Sequence, residues 1–427
     1  EELSHLLDAP PIHGESQLDP PVVIKERQSC FAEFVLGLCT CISLGNIWAI
    51  FIKNITVLSR NIGFLLFSFM LPAIQIILFC LCIGREPYGL NMAVVNKDTG
   101  PLGAEYLKFL NNNTIIQENY TDLSAALDTV KRGEKWGVIS MSQNYTQDLV
   151  LRFMSKTNIS EKIIDGSSVH LYLDMTNLEI SVTIQEYTIQ AFQDFAKSML
   201  PALGLSPAMI DLPVKLEQPV YGERKPAFTN FMAPGIILSI TFFMATGLTT
   251  LSFVLEGKQG LLDRSLVAGV NTVEVMIAHV CTQFWIMLVQ AGLLLLFALV
   301  VFEVPSRGPV ILVIILTIFI GFTGMALGLL ISTLCDEENT AIQAALGSVY
   351  PNLLLSGIIW PVESMPIWLR YVSMALPMTY PAEAMRCVLS RGWDLTYMPV
   401  WRGFLVGIGW GWGLMLIAAI ILRVKGS

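Results

Sequence analysis

Six stretches without Asp, Glu, Lys or Arg run along this chain, at 61–84, 227–255, 275–302, 308–335, 339–362 and 403–422. A bilayer core about 30 Å thick takes about 20 apolar residues of helix to cross, and one charge at its centre costs about 2.5–3.5 kcal/mol on insertion scales. Each stretch therefore predicts a membrane-spanning helix. The polar segment 85–226 follows other periods. NMAVVN (91–96) and WGVISM (136–141) read as strands, and SSVHLYLD (167–174) alternates, with Val169, Leu171 and Leu173 on one face. Between 178 and 200, Ile180, Ile184, Tyr187, Ala191 and Phe195 recur at helical spacing. The fold class that follows is an α-helical polytopic membrane protein with six spans and a compact α/β domain inserted at 85–226, between the first and second.

The flanking segments carry weaker patterns. Residues 1–29 include DAPPIHGESQLDPP and read as a linker. Residues 30–60 are apolar but broken by Glu33, Lys53 and Arg60. Their NIWAIFIKNITVLSR predicts an amphipathic connecting helix along the membrane boundary, with a soluble helix end as the other reading. Five prolines between 361 and 400, beside Trp360, Trp368, Tyr371, Tyr380 and Trp393, predict short re-entrant helices in the outer leaflet. Gly403, Gly407 and Gly411, four apart in the last span, predict close helix packing.

Orientation comes from acceptor motifs for N-glycosylation. Asn112, Asn119, Asn144 and Asn158 all open N-x-S/T triplets within 85–226, which places that domain outside and both termini in the cytoplasm of a plasma-membrane protein. Asn54 opens another triplet on the expected cytoplasmic side. Lys53, Arg60, Lys258, Arg264, Arg423 and Lys425 then fall inside, as the positive-inside rule asks, whereas Arg370, Arg386, Arg391 and Arg402 fall outside against it.

Composition agrees with a membrane protein. Of 427 residues 54% are hydrophobic and 14% charged, against roughly 25% charged in soluble domains. The net charge of -8 argues against a nucleic-acid partner. None of the eight cysteines lies between 85 and 230, so the inserted domain folds without internal disulfides. The sequence contains no phosphate-binding G-x-x-x-x-G-K-[ST], no G-x-S-x-G and no H-E-x-x-H, and neither a catalytic residue nor a metal ligand is assigned. Glu274 and His279 read as boundary residues, and with no paired ionisable groups evident inside the spans an ion-coupled transporter is disfavoured.

Two segments carry a resemblance. EGKQGLLDRSLVAGV (256–270) resembles the coupling helix of type-2 ABC export permeases, and SGIIWPVESMPIWLRYVSMALPMTYPAEAMRCVLSRG (356–392) resembles their signature before the last span, with Met365-Pro366, Pro377 to Tyr380 and Ala384 to Arg386. The likeness runs from about residue 45 to the last span. The long domain after span one, with no cysteine, is unlike the short outer loops of subfamily G and more similar to bacterial drug- and lipid-export permeases. With the acceptor asparagines and the leading linker, it resembles most the arthropod subfamily H half-transporters. This implies a homodimeric, ATP-driven lipid exporter, with ATP and Mg bound on a nucleotide-binding domain outside this sequence and fused upstream. It also implies that Glu256, Gly260 and Arg264 seat in that domain's cleft. A substrate path would run along Phe242, Phe243 and Thr246 of span two and Pro351, Asn352 and Leu353 of span five. Asn352 either orients a lipid headgroup or satisfies carbonyls freed by Pro351. Polysaccharide or drug export, and a glycosylated receptor that transports nothing, are the rival readings.

Overall fold

The computed structural model of the protein describes residues 43–83, 87–155, 159–207, 210, 218–222 and 228–425. The chain enters through α1 (Leu44–Arg60) and turns at Asn61 into α2 (Ile62–Cys82), whose first turn Asn61 caps by accepting from the Phe64 amide at 3.3 Å. Ile47 and Ile50 pack one face of α1 against Val275 and Ala278, while Trp48, Ile52 and Val57 are exposed on others. The expected connecting helix is therefore present, and much of its outward surface is apolar.

The segment after α2 folds as an α/β domain. Its elements are β1 (Leu90–Asn96), α3 (Leu102–Phe109), β2 (Ile115–Asn119), α4 (Leu123–Lys131), β3 (Gly137–Met141), α5 (Tyr145–Met154), α6 (Glu161–Gly166), β4 (His170–Leu173) and α7 (Leu178–Met199). The sheet order is β2-β1-β3-β4, with β1 parallel to β2 and β3, and β4 antiparallel to β3. Parallel neighbours need crossover connections, and α3 and α4 supply them. Both faces of β1 are consequently buried: Met92 and Val94 pack with Tyr106, Ile184 and Phe195, and Ala93 and Val95 with Ala126. The alternation expected at 167–174 appears in β4, where Leu171 and Leu173 face the core and Tyr172 is exposed.

One loop of this domain is pinned by Asp98. Its carboxylate accepts from the amides of Gly100, Gly103 and Thr146 and from the Thr146 hydroxyl. Partial burial pushes this carboxyl up, but those hydrogen bonds together outweigh it and hold the group below the usual aspartate range. Asn112, Asn119 and Asn144 are all exposed, on the turn before β2, at the end of β2 and before α5; Asn158 lies outside the described residues.

The remaining helices form a bundle with α1 and α2: α8 (Phe228–Lys258), α9 (Leu261–Val267), α10 (Thr272–Leu296, extended by a π turn to Val301), α11 (Val310–Leu334), α12 (Glu338–Leu355), α13 (Ile367–Met374), α14 (Thr379–Arg386) and α15 (Met398–Lys425). Five of the described helices are long and apolar enough to cross a membrane: α2, α8, α10 with its extension, α11 and α15. The stretch expected as a further span at 339–362 forms α12, which ends after 18 residues and is not among the five. Thr and Gln scattered through it, and Pro351 within it, dilute its apolar character.

Backbone contact at glycines sets the packing. A Cβ on Gly324 would lie 2.6 Å from the Phe242 carbonyl oxygen, and one on Gly328 2.5 Å from that of Thr246, so α8 and α11 meet main chain to main chain. Gly403 similarly faces the Tyr380 carbonyl of α14 and Gly411 the ring of Phe322, while Thr323 donates to the Gly407 carbonyl at 2.9 Å.

The expected short helices of 361–400 are α13 and α14. Ile367, Trp368 and Tyr371 of α13 are exposed, whereas Ala382, Ala384 and Met385 of α14 are buried in the main core. The arginines that oppose the charge rule are engaged here. Arg386 donates to the Gly357 carbonyl and lies over Phe231, Arg402 pairs with Glu383 at 3.1 Å and lies over Tyr380, Arg391 lies over Trp393, and Arg370 donates to the Glu363 carbonyl.

Candidate functional site

Where α1, α8 and α10 converge, three ionisable side chains meet. Glu256 lies in the last turn of α8, 6% exposed. One carboxylate oxygen receives the ammonium of Lys53 from α1, and the other abuts Nε2 of His279 from α10. His279 is buried and stands edge-on to Phe253 of α8, with ring centroids 5.2 Å apart. The carboxylate is thus withdrawn from solvent, with its charge offset by the Lys53 ammonium and the imidazole of His279 packed against it. Further polar ties join the same elements. Gln283 donates to the Ser252 hydroxyl at 2.7 Å, and Gln290 donates to the Ser68 carbonyl at 2.8 Å. Glu274 closes a capping box with Asn271 at the start of α10 and also accepts from Asn46 and the Ser43 amide before α1.

One expectation is corrected: ionisable groups that lie far apart in sequence, His279 among them, are brought together by helix packing. Glu256 is turned into the protein, against Lys53 and His279. Glu274 caps the start of α10.

The loop beyond Glu256 is more open. Gly260 turns the chain with φ +63° and Gly269 with φ +87°, a region that favours glycine, and between them stands the seven-residue helix α9. Arg264 on α9 is exposed. Lys258 pairs with Glu338 at 2.8 Å, fastening the end of α8 to the start of α12.

The residues expected along a substrate path are divided. Phe242 and Thr246 are each 0% exposed, pressed against Gly324 and Gly328 of α11, and so line no open face of this chain. Helical geometry turns Phe243, one residue on, away from them, and it is partly exposed. Pro351 is exposed and Leu353 partly so. Asn352 is 6% exposed and its amide donates at 3.0 Å to the Ser348 carbonyl, in the turn that Pro351 interrupts. Its Oδ1 is buried without a partner among the described residues. Among those residues, no three His, Cys, Asp or Glu are placed to hold a metal ion.

A family model described as ABC-2 family transporter protein matches residues 62–424. The chain belongs to the ABC-2 transporter family. Among its relatives, ABC transporter G family member 20 of Dictyostelium discoideum is 35% identical over 369 residues, covering 86% of this chain and 49% of the relative. ABC transporter G family member 23 of the same organism is 28% identical over 361 residues, covering 84% and 50%. The probable multidrug ABC transporter permease YbhR of Escherichia coli strain K12 is 22% identical over 351 residues, covering 81% and 88%. The chain spans about half the length of the two Dictyostelium relatives and most of the bacterial permease.

ABC-2 permeases work with nucleotide-binding domains, and this chain is the permease part. Relatives that bear the G-family name match across most of the chain, an extent that cannot skip the inserted domain. The length of that domain therefore does not set this permease apart from proteins so named. The Lys53–Glu256–His279 cluster had one legible trace, a lone acid and a lone His at the ends of consecutive apolar stretches. Nothing in their spacing supplied Lys53, which comes from a helix some 200 residues earlier in the chain.

Proposed function

We propose that this ABC-2 permease is the membrane half of a homodimeric, ATP-driven exporter that takes a lipid, or another hydrophobic molecule, from the inner leaflet and delivers it outward at the plasma membrane. The observation that carries this reading is the short helix α9 with its exposed Arg264 and Val267, set between two left-handed glycines beyond the end of α8. A short rigid element bonded to two long helices passes a push from a docked nucleotide-binding domain into both. ATP and Mg are held on that domain, fused upstream through residues 1–29. Gly260 and Arg264 make the docking contact, and Glu256 anchors the end of α8 to α1 and α10.

In this reading α12 is the sixth span, both termini are cytoplasmic, and the α/β domain is extracellular with glycans on Asn112, Asn119, Asn144 and Asn158. The substrate meets the partly exposed Phe243, Pro351 and Leu353 rather than Phe242, Thr246 or Asn352. Spans almost free of charge favour a hydrophobic cargo, and the subfamily H resemblance favours a lipid. The printed description of the bacterial relative as a probable multidrug permease supports a drug as the second reading.

The test is ATP hydrolysis by the complete source polypeptide in nanodiscs, with a panel of membrane lipids and a panel of hydrophobic drugs. Lipid-stimulated hydrolysis is expected. Arg264→Glu is expected to keep basal hydrolysis and lose about tenfold of the stimulation, equivalent to about 1.4 kcal/mol of lost coupling. Stimulation by drugs alone would move the second reading forward. Absence of hydrolysis in folded, dimeric protein would overturn both.

A further inference from the structure

Beside the charged cluster lies a half-open cavity of 330 Å³, walled by α1, α2, α8 and α10. That volume lies at the lower end of small-molecule sites, which run from about 300 to 1,000 Å³. Its two ends differ. Lys53, Asn54, Glu256 and His279 gather the charged groups at one end, and beyond them Leu65, Phe69, Leu248, Leu251 and Ile286 line a mainly apolar stretch that also holds Ser68, Ser252, Thr282 and Gln283. At 1.5 Å per helical residue, the wall extends roughly 8 Å along α2 from Phe64 to Phe69 and roughly 12 Å along α8 from Glu256 back to Leu248. About 15 Å is the depth of one leaflet's hydrocarbon.

Besides His279, two polar side chains on the wall lack hydrogen-bond partners. The Asn54 amide nitrogen and the Ser68 hydroxyl are buried with no hydrogen bond among the described residues, and Ser68 is 2% exposed. A buried donor left without an acceptor is costly, so at the charged end an occupant that brings acceptor oxygens to Asn54 is favoured. The Lys53 ammonium has three donors and directs one at Glu256, which leaves protons for an oxyanion. Lys53 and Glu256 offset each other in charge, so the site offers no excess attraction to a head of net negative or net positive charge.

We propose that this cavity binds one acyl chain of a zwitterionic glycerophospholipid, its phosphate oxygens on Asn54 and Lys53 and its chain running past Leu65 and Leu251. The site lies within one protomer, apart from the exposed face of α12. It needs only that α2, α8 and α10 cross the bilayer, so it stands or falls independently of the export reading. A lipid held there wedges α1 against α2 and α8, and its occupancy bears on the packing of the helix that leads into the bundle.

The test uses the complete polypeptide in phosphatidylcholine nanodiscs carrying a trace of phosphatidylcholine with a diazirine midway along one acyl chain, with peptide mapping after photolysis. Labelling is expected to concentrate on Val57–Phe69 and Leu248–Leu255. Ser252→Trp and, separately, Leu251→Trp, which fill the cavity, are expected to lower it there about tenfold, as loss of about 1.4 kcal/mol of binding would. Labelling of the exposed Leu81 and Leu416 serves as the internal control and stays unchanged. Lys53→Met is expected to weaken cavity labelling by the phospholipid probe but not by a diazirine alkane without a head. Cavity labelling no greater than that of Leu81 and Leu416, or unchanged in both tryptophan variants, would overturn the site. Equal labelling by the headless probe in wild-type protein would overturn the assignment of the charged end.

Discussion

Glu256 owes its place in the bundle to two side chains that arrive from other helices. Buried ion pairs are costly to break and often cheap to replace: removing one partner costs about 3–5 kcal/mol, whereas well-packed apolar substitutes are near neutral. Lys53 has a side chain 37% exposed and turns toward solvent when its partner is lost, which places the expected cost at the low end of that range. Glu256→Leu is therefore expected to lower the thermal midpoint of the protein, and the joint change Lys53→Met with Glu256→Leu to recover most of the loss. The four-variant cycle should give a coupling energy of about 0.5–3 kcal/mol. Strict additivity would show that the two residues do not act as a pair. At the same scale, Arg370, Arg386, Arg391 and Arg402 each have a partner within the protein. They are held by carbonyls, a carboxylate and aromatic faces, so their positions answer to packing as well as to the membrane.

Among the elements, the contact of α8 with α11 is the most constrained. Gly324 and Gly328, one turn apart, let the two backbones touch at the carbonyls of Phe242 and Thr246, and Thr250 adds a hydrogen bond at 3.1 Å to the Gly328 carbonyl. A side chain at either glycine must push the helices apart, because what it meets is main chain, which cannot rotate away. Overpacking of this kind costs about 1–3 kcal/mol per site and sometimes more. Gly328→Val is expected to abolish monodisperse, folded protein on size-exclusion chromatography, and Gly328→Ala to give a lower midpoint with folded material still present. A valine variant as stable as the parent would show that α8 and α11 do not meet at this glycine. The same reasoning separates the glycine row of α15 into its partners, with Gly403 serving α14 and Gly411 serving α11.

For the whole molecule the count of spans decides the topology. An even number places the two termini on one side, an odd number on opposite sides, and α12 is the helix on which that parity turns. Epitope tags at the two ends of the complete polypeptide, stained with and without permeabilisation, are expected to show the ends of residues 43–425 on the same, cytoplasmic face. Asn112→Gln, Asn119→Gln and Asn144→Gln are each expected to remove one glycan step in gel mobility. Tags on opposite faces would leave α12 inside the bundle as a helix that does not cross, and unshifted mobility in all three variants would place the α/β domain on the cytoplasmic side. Consecutive positions alone made legible the long apolar helices, the helix around Trp48, the short helices of 361–400 and two of the three parallel strands. Each of these rests on a local rule, the absence of charge over a membrane's depth or a period of two or 3.6 residues, and such rules are written in consecutive positions. They missed β2, whose five residues end in polar QEN and alternate poorly. Only the tertiary structure decided that Glu256 turns inward to Lys53 and His279, that Phe242 and Thr246 are sealed under the glycines of α11, and that a cavity opens beside them on another face of α8. A side chain's direction around a long apolar helix is fixed by which helices pack on it. In α8 and α11, apolar on every side, no periodicity in the sequence marks one face from another.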